Sequence, residues 1–395
     1  MDTDRPRRRV AVTGVGVVSA AGIGRDAFWT GLLGDAPEGL RRVHDWDPTP
    51  YFDNPKEVRR ADRFEQFAVA AAAEALEQSG RPSGDPVRQG VLIGTGIGGL
   101  GTIEEQTIVR YEKGPRRVSP FLIPMVMGNA PAAAVSMRHG FQGPCETVVT
   151  ACAAGTHSVA NAARLIASGR CTSVIAGSTE AAMTETGVAG FTNMTAMSSS
   201  LTSRPFDAER DGFVMSEGAG VLVLEEWSAA EARGATILAE VLGGASTADA
   251  HHITAPAPDG SGAVACIELA LEEAGISAAD VAHINAHGTS TPLNDAAEAE
   301  AIAKVFGAPG PPVTSIKGIV GHALGAAGSI EAVACVLTIQ KALIPPTAGY
   351  TTPDPEMATI DIVHGEPRPW TPGPIISNSF GFGGHNGTVV IAPPS

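Results

Sequence analysis

The sequence predicts a layered α/β fold assembled from two similar halves, and three observations carry that expectation. Short β-branched runs alternate with alanine-rich helical stretches along all 395 residues, the pattern of helices covering a buried, largely parallel sheet. Two distant segments share one design, in which a short strand, a turn holding one reactive residue and a helix of small residues follow one another. Hydrophobic residues make up 44% of the chain and aromatics only 5%, so the core is built from Ala, Val, Ile and Leu. A chain of this length buries enough of them to fold without staples. The 47 glycines follow no collagen-like period, which excludes fibrous and low-complexity classes.

In chain order, RRVAVTGVGVV begins the first half. Arg7–Arg9 and the uncharged run after them imitate a secretion signal, but Thr13, Gly14 and Gly16 interrupt the run and its alternating valines read as a buried strand. FEQFAVAAAAEALEQSG is helical and GVLIGTG is a strand. The 20 uncharged residues between Arg117 and Arg138 would span a bilayer by count. Pro120, Pro124, Asn129 and Pro131 among them point instead to a packed, partly irregular interior segment. ETVVTACAAGTHSVANAARLIASG, TSVIAG and VLVLEEW complete the first half. The second opens near Ala235 with TILAEVLGGAS and AVACIELALEEAG, then HINAHGT. PVTSIKGIVGHALGAAGSIEAVACVLTIQKA follows the same design as the Cys152 segment. This gives two lobes, residues 1–234 and 235–395, packed as one unit because no polar linker divides them.

A formal net charge of −15 argues against a broad nucleic-acid footprint and leaves an acidic partner only a local basic patch to bind. Five cysteines without C-x-x-C spacing fit a reducing, cytoplasmic setting and neither a disulfide framework nor a metal site. No membrane association and no nucleic-acid partner are expected.

Cys152 follows a strand in VTACAAG and opens the helix that runs through Ala167. Unpaired backbone N–H groups and the positive helix end favour thiolate there, and its small neighbours let backbone and substrate approach closely. Cys171, Cys266 and Cys335 read as structural. His287 in INAHGTSTPLND and His322 in SIKGIVGHALGAAGS each stand at a strand-to-helix turn in apolar surroundings. Burial keeps such imidazoles neutral, each able to donate one N–H to a developing oxyanion. The duplication places His322 across the lobe axis from Cys152. Lys317 in the same apolar turn needs a carboxylate, and Glu331 is the nearest candidate; the pair reads as mainly structural, with an electrostatic effect on the histidines. GFGG in the terminal segment is followed by no helix, so a phosphate cradle fails its context there. GTGIGGLG is weak for want of the acidic residue that should follow it. The terminal glycines instead let Phe380 and Phe382 swing and free backbone N–H groups for an oxyanion hole.

TACAAG, NAHGTSTPLND, SIKGIVGHALGAAGSIEA and NSFGFGGHNG, with SPFLIP and RPFDAERDGFVMSEGAGVLVLEE, together resemble the elongating β-ketoacyl-ACP synthases of type II systems over nearly the whole chain. The resemblance implies a thiolase-like, five-layered αβαβα duplication, normally dimeric, and a decarboxylative Claisen condensation. Cys152 would carry the acyl chain, with the N–H groups of Cys152 and Phe382 as oxyanion hole. His287 and His322 would bind the malonyl thioester oxygen, with Lys317 as the fourth member of the catalytic set and Glu331 and Phe380 in support. Thr289 and Thr291 resemble contacts to the phosphopantetheine arm, Phe382 the gate of the acyl pocket and Ile97 the residue facing it. Lys56, Arg59 and Arg60 would dock the acyl carrier protein, with Arg63 in the same basic stretch. No cofactor is required beyond the carrier's phosphopantetheine. Two features depart from the family: the loop TAMSSSLTSRPFD is short and lacks a basic docking residue, and His385 stands where threonine is usual, with no role beyond supporting its loop.

Other readings meet specific obstacles. A thiolase wants a second cysteine in the terminal loop, which GFGGHNG lacks. An initiating synthase pairs its cysteine with His and Asn rather than two histidines. A non-catalytic chain-length partner lacks the nucleophile. The ketosynthase of a bacterial type II polyketide system, paired with such a partner, has the same chemistry, and pocket length, which the sequence does not display, separates it from fatty-acid duty.

Overall fold

The computed structural model describes residues 7–395. The Val10–Ser19 run is a strand buried along its whole length, and its valines pack in the central core against both halves. The register of its pairing with Gly218–Glu226 shifts at a bulge between Val12 and Gly14. Around this strand each half repeats one topology. In the first half, Val10–Ser19 pairs antiparallel with Gly218–Glu226, which pairs antiparallel with Ser173–Glu180. Ser173–Glu180 then runs parallel to Gln89–Gly94, and that strand parallel to Cys145–Glu146. In the second half the same sequence of pairings joins Ala239–Ala248, His385–Ala392, Ile375–Gly381, His283–Asn285 and Pro312–Thr314. The two sets meet only where Ala11 and Val12 pair with Glu240 and Ala239.

The sheet is therefore mixed in each half, which corrects the expectation of a largely parallel one. Apolar runs such as VLVLEE are as continuous as those of a parallel sheet because helices cover both faces. Arg63–Ser79 packs on the outer face of the first set and Ser261–Ala274 on that of the second. Between the sets lie Ala154–Ala167 and Ala327–Lys341. The result is the five-layer α/β arrangement; of the central helices, Ala327–Ile339 is buried without interruption, and Ala154–Ala167 is part-exposed only at Asn161, Arg164, Leu165 and Ala167. The Arg117–Arg138 stretch folds as two short helices, Leu122–Val126 and Ala130–His139, and no described helix is long and apolar enough to cross a membrane.

The central pair meets at glycine. A Cβ on Gly155 would lie 2.4 Å from the Ser329 backbone nitrogen, and one on Gly328 would lie 2.3 Å from Thr156 Oγ1. Ser329 Oγ and Ser178 Oγ bond at 2.5 Å, and Thr156 Oγ1 and Ser379 Oγ at 2.8 Å, so each helix is tied to the strand of one half by the same pair of hydroxyls. Gly155→Ala should therefore lower stability by about 1–3 kcal/mol through overpacking, read as a lower urea midpoint at unchanged m-value; an unaltered midpoint would show that the helices can separate at no cost.

Candidate functional site

Each central helix is entered through a 3₁₀ turn, Ala151–Ala153 in one half and Leu324–Ala326 in the other. The first residue of each turn has a left-handed backbone, φ 49° at Ala151 and 47° at Leu324, a conformation that costs a non-glycine residue energy and recurs at functional sites. The sharp entry turns Cys152 inward. The Cys145–Thr150 run before it pairs as a strand only at Cys145 and Glu146, so the residue follows an extended segment rather than a strand end. By this alignment Cys152 matches Gly325, and His322 lies just ahead of the second turn rather than within it.

The turns bring the predicted residues to one place. His322 Nε2 lies 3.1 Å from Cys152 Sγ, and the His287 and His322 rings meet edge to face with centroids 5.3 Å apart. His322 is held by its backbone, its N–H on Val214 O and its carbonyl accepting from Ser216 N–H, and by the Phe213 ring at 5.3 Å. The Lys317 ammonium donates to Glu331 Oε1, to the His287 carbonyl at 2.5 Å and to His287 Nδ1 at 3.3 Å. Accepting at Nδ1 leaves the neutral His287 with its proton on Nε2. Lys317, Glu331, His287 and His322 are all buried.

Desolvation dominates the charges here. Burial, with the Lys317 charge beside them, holds both imidazoles well below the ordinary histidine value, in accord with the expected neutral donors. Burial also pushes the Cys152 thiol up to about 12, against the pull of Lys317 and of the Phe382 and Cys152 backbone N–H groups. The expected resting thiolate is thus corrected: one helix entrance does not offset complete burial, and the sulfur rests protonated 3.1 Å from His322 Nε2. Glu331 is raised to about 7 by burial and drawn back by Lys317.

A cavity of about 550 Å³ opens onto this cluster, lined by Cys152, His287, His322, Phe380, Phe382, Ile97, Thr289 and Thr291 among others. Phe380 packs edge-on against His287 at 5.9 Å. Phe382 lies 6.5 Å from Phe191, with its N–H and that of Cys152 directed at the sulfur. The two threonine hydroxyls bond each other at 2.9 Å. Lys56, Arg59 and Arg60 are exposed and lie outside the cavity. The expectation that they share one short helical stretch with Arg63 is corrected: the first helix is Pro55–Val58, and Arg63 starts the next, forked onto Glu217 at 2.7 and 3.0 Å. Arg63 therefore serves the interior. His385 closes the terminal hairpin opposite Gly381, its ring over Gly383.

Three residues escaped the sequence reading. Glu298 accepts from the backbone N–H groups of His287 and Gly288 at 2.7 Å each, and Asp295 from Thr289, Ser290 and Phe206. Both acids lie one turn apart in NDAAEAEA, and their presence on a face otherwise made of alanine was the available signal. Phe213 carried none.

Residues 34–230 match the family described as Beta-ketoacyl synthase, N-terminal domain, and residues 238–351 that described as Beta-ketoacyl synthase, C-terminal domain. The chain is 44% identical to a 3-oxoacyl-[acyl-carrier-protein] synthase 2 of Synechocystis sp., covering 97% of each. Among solved structures it is similar to the ishigamide ketosynthase/chain length factor, with TM-score 0.92 and 31% identity over 98% of this chain and all of that one. It is also similar to a type II polyketide acyl-carrier protein complex with its ketosynthase bound to the hexaketide, with TM-score 0.90, 32% identity and the same coverage.

The Lys317–Glu331 pair makes a separable contribution. Lys317→Met alone should cost about 3–5 kcal/mol by stranding a buried carboxylate, whereas Lys317→Met with Glu331→Leu should cost less than the single change. Denaturant titration of both variants decides, and a double variant worse than the single one refutes the account.

Proposed function

The chain belongs to the β-ketoacyl synthase family, and on that premise we propose that it elongates acyl chains on acyl carrier protein in fatty-acid biosynthesis as a 3-oxoacyl-ACP synthase II-type acyltransferase. The observation that carries the reading is the meeting of one cysteine and two neutral histidines at the floor of a cavity. Cys152 Sγ attacks the carbonyl of an acyl thioester as its proton passes to the departing carrier thiol, which leaves His322 with its Nε2–H for the next step. The oxyanion lies between the Cys152 and Phe382 N–H groups. Malonyl-ACP then enters with its thioester oxygen facing the two imidazoles, loses CO₂ and forms an enolate. Its carbon attacks the acyl-Cys carbonyl, Cys152 is expelled as thiolate, and β-ketoacyl-ACP leaves while the sulfur takes a proton from water. Neutral donors in a water-poor site act on charge that exists only in the transition state. Lys317 orients His287 through its carbonyl and Nδ1, and Glu331 balances the lysine.

Thr289 and Thr291 face the cavity as contacts for the phosphopantetheine arm, and Ile97 and Phe382 bound the acyl chain. Lys56, Arg59 and Arg60 are free of carboxylate partners among the described residues, a basic patch on an acidic protein suited to an acidic carrier. The Arg60 guanidinium lies 4.1 Å over the Phe121 ring, and the exposed Arg116 and Arg117 a few residues upstream extend the patch. A homodimer is supported by the open edge of Cys145–Glu146 and by the exposed apolar residues Ile103, Ile108, Tyr111, Ile123, Met137 and Val149. Lobes of 1–234 and 235–395 and a cytoplasmic setting, with all five cysteines free, complete the reading.

Intact-mass analysis with acyl-ACP should show an acyl adduct that malonyl-ACP discharges. Cys152→Ala should abolish it, and His287→Ala or His322→Ala should slow decarboxylation by about 10²–10³-fold; an adduct surviving in Cys152→Ala moves the nucleophile elsewhere. Because the neutral imidazole is the working form and both values are lowered, decarboxylation should stay level as pH falls through 6.5 and decline only below it. An acid limb centred at 6.5 would contradict the buried, neutral pair. Reversing Arg59 and Arg60 to Glu should slow transfer from acyl-ACP and spare small acyl thioesters, and an equal loss with both donors would refute carrier docking there.

A further inference from the structure

Glu180 ends the strand Ser173–Glu180 and is fully buried, yet none of the ion pairs among the described residues includes it. Its carboxylate is instead held by two loops. Oε2 accepts from the Gly96 N–H at 2.8 Å and the Gly325 N–H at 3.2 Å, and Oε1 from Thr95 Oγ1 at 3.1 Å, with the Ile97 backbone as a further donor. The loops meet so closely that a Cβ on Gly325 would lie 2.0 Å from the Gly96 nitrogen, and one on Gly96 would lie 2.6 Å from Glu180 Oε2. Each loop supplies cavity wall: Gly96 and Ile97 from the first half, Leu324 from the second.

The duplication sharpens the point. Gly325 matches Cys152, and Glu180 matches Gly381, the strand-end residue packed at the Cys152 nitrogen in the other half. Where the first turn leaves its N–H groups free to face the sulfur, the second has them filled by a carboxylate. A buried charge without a cation is costly. Burial pushes the Glu180 carboxyl up to about 7, against the pull of these donors, and an amide in its place would offer them one acceptor oxygen fewer.

We propose that Glu180 is a positioning residue for substrate specificity: by tying the Ile97 loop to the Leu324–Gly325 turn it fixes one wall of the acyl cavity and so sets the chain length admitted. The inference rests on the elongating-synthase reading and deepens it. Its test compares kcat/KM for transfer of acyl chains of graded length from acyl-ACP to Cys152, by intact mass, in the parent enzyme, Glu180→Gln and Thr95→Val. One methylene in an apolar pocket changes kcat/KM by about 10–200-fold, so the long-to-short ratio should shift by about tenfold or more in Glu180→Gln. Thr95→Val removes one donor and keeps the carboxylate, and it should shift the ratio in the same direction by less; it decides the matter if the first variant does not fold. A uniform loss that leaves the ratio unchanged in both variants overturns the proposal. A parent enzyme that takes no acyl chain at all overturns the reading beneath it, a result distinct from the first.

Discussion

The structure depends on the crossing of two central helices at glycine. Because Gly155 and Gly328 have no Cβ, the backbones of Ala154–Ala167 and Ala327–Lys341 come close enough for each to bond a strand of one half through a single hydroxyl. That approach fixes where the two helix entrances lie, and the entrances carry the chemistry. A wider crossing would leave the core buried, since the alanine-rich helices would still exclude water, but it would separate a sulfur and an imidazole that now stand 3.1 Å apart.

The same burial that makes the crossing tight decides the charge states. With the cavity floor buried, its ionisable groups are neutral or paired. The imidazoles stay neutral with one N–H each, the thiol keeps its proton, and Lys317 has a carboxylate in contact. A neutral donor and a neutral thiol are weak in water. Here they are fixed and dry, so little reorganisation is needed as charge develops. Acidic groups that hold backbone N–H groups, Glu298 under His287 and Asp295 under Thr289 and Ser290 with Arg210 at its far side, supply the rigidity.

Duplication lets the two halves diverge at matched positions. The terminal hairpin leaves N–H groups of Cys152 and Phe382 facing the sulfur, whereas the corresponding turn of the second half is occupied by Glu180. One topology thus provides a reactive turn and an inert one.

Local chemistry was enough for much of this. Alternating β-branched and alanine-rich runs specify layers, because strand and helix periods bury different faces. Cys152, His287 and His322 stand out because reactive side chains among Ala and Gly at strand-to-helix turns have no bland use for all three, and Lys317 required Glu331 because a buried ammonium needs an anion. Strand direction was not legible, since a sheet covered on both faces looks apolar whichever way its strands run. Nor was the state of the sulfur: a helix entrance lowers a thiol's pKa and burial raises it, and only the packing says how much water remains. Arg63 belonged to a basic run by sequence and to Glu217 by contact. The residues that line and brace the cavity from afar, Phe213 against His322 and Glu180 against Gly96 and Gly325, meet partners distant in the chain. Sequence sets what each residue can do; which residues meet, at what distance and in how much water, is decided by the close approach of two backbones that no local pattern encodes.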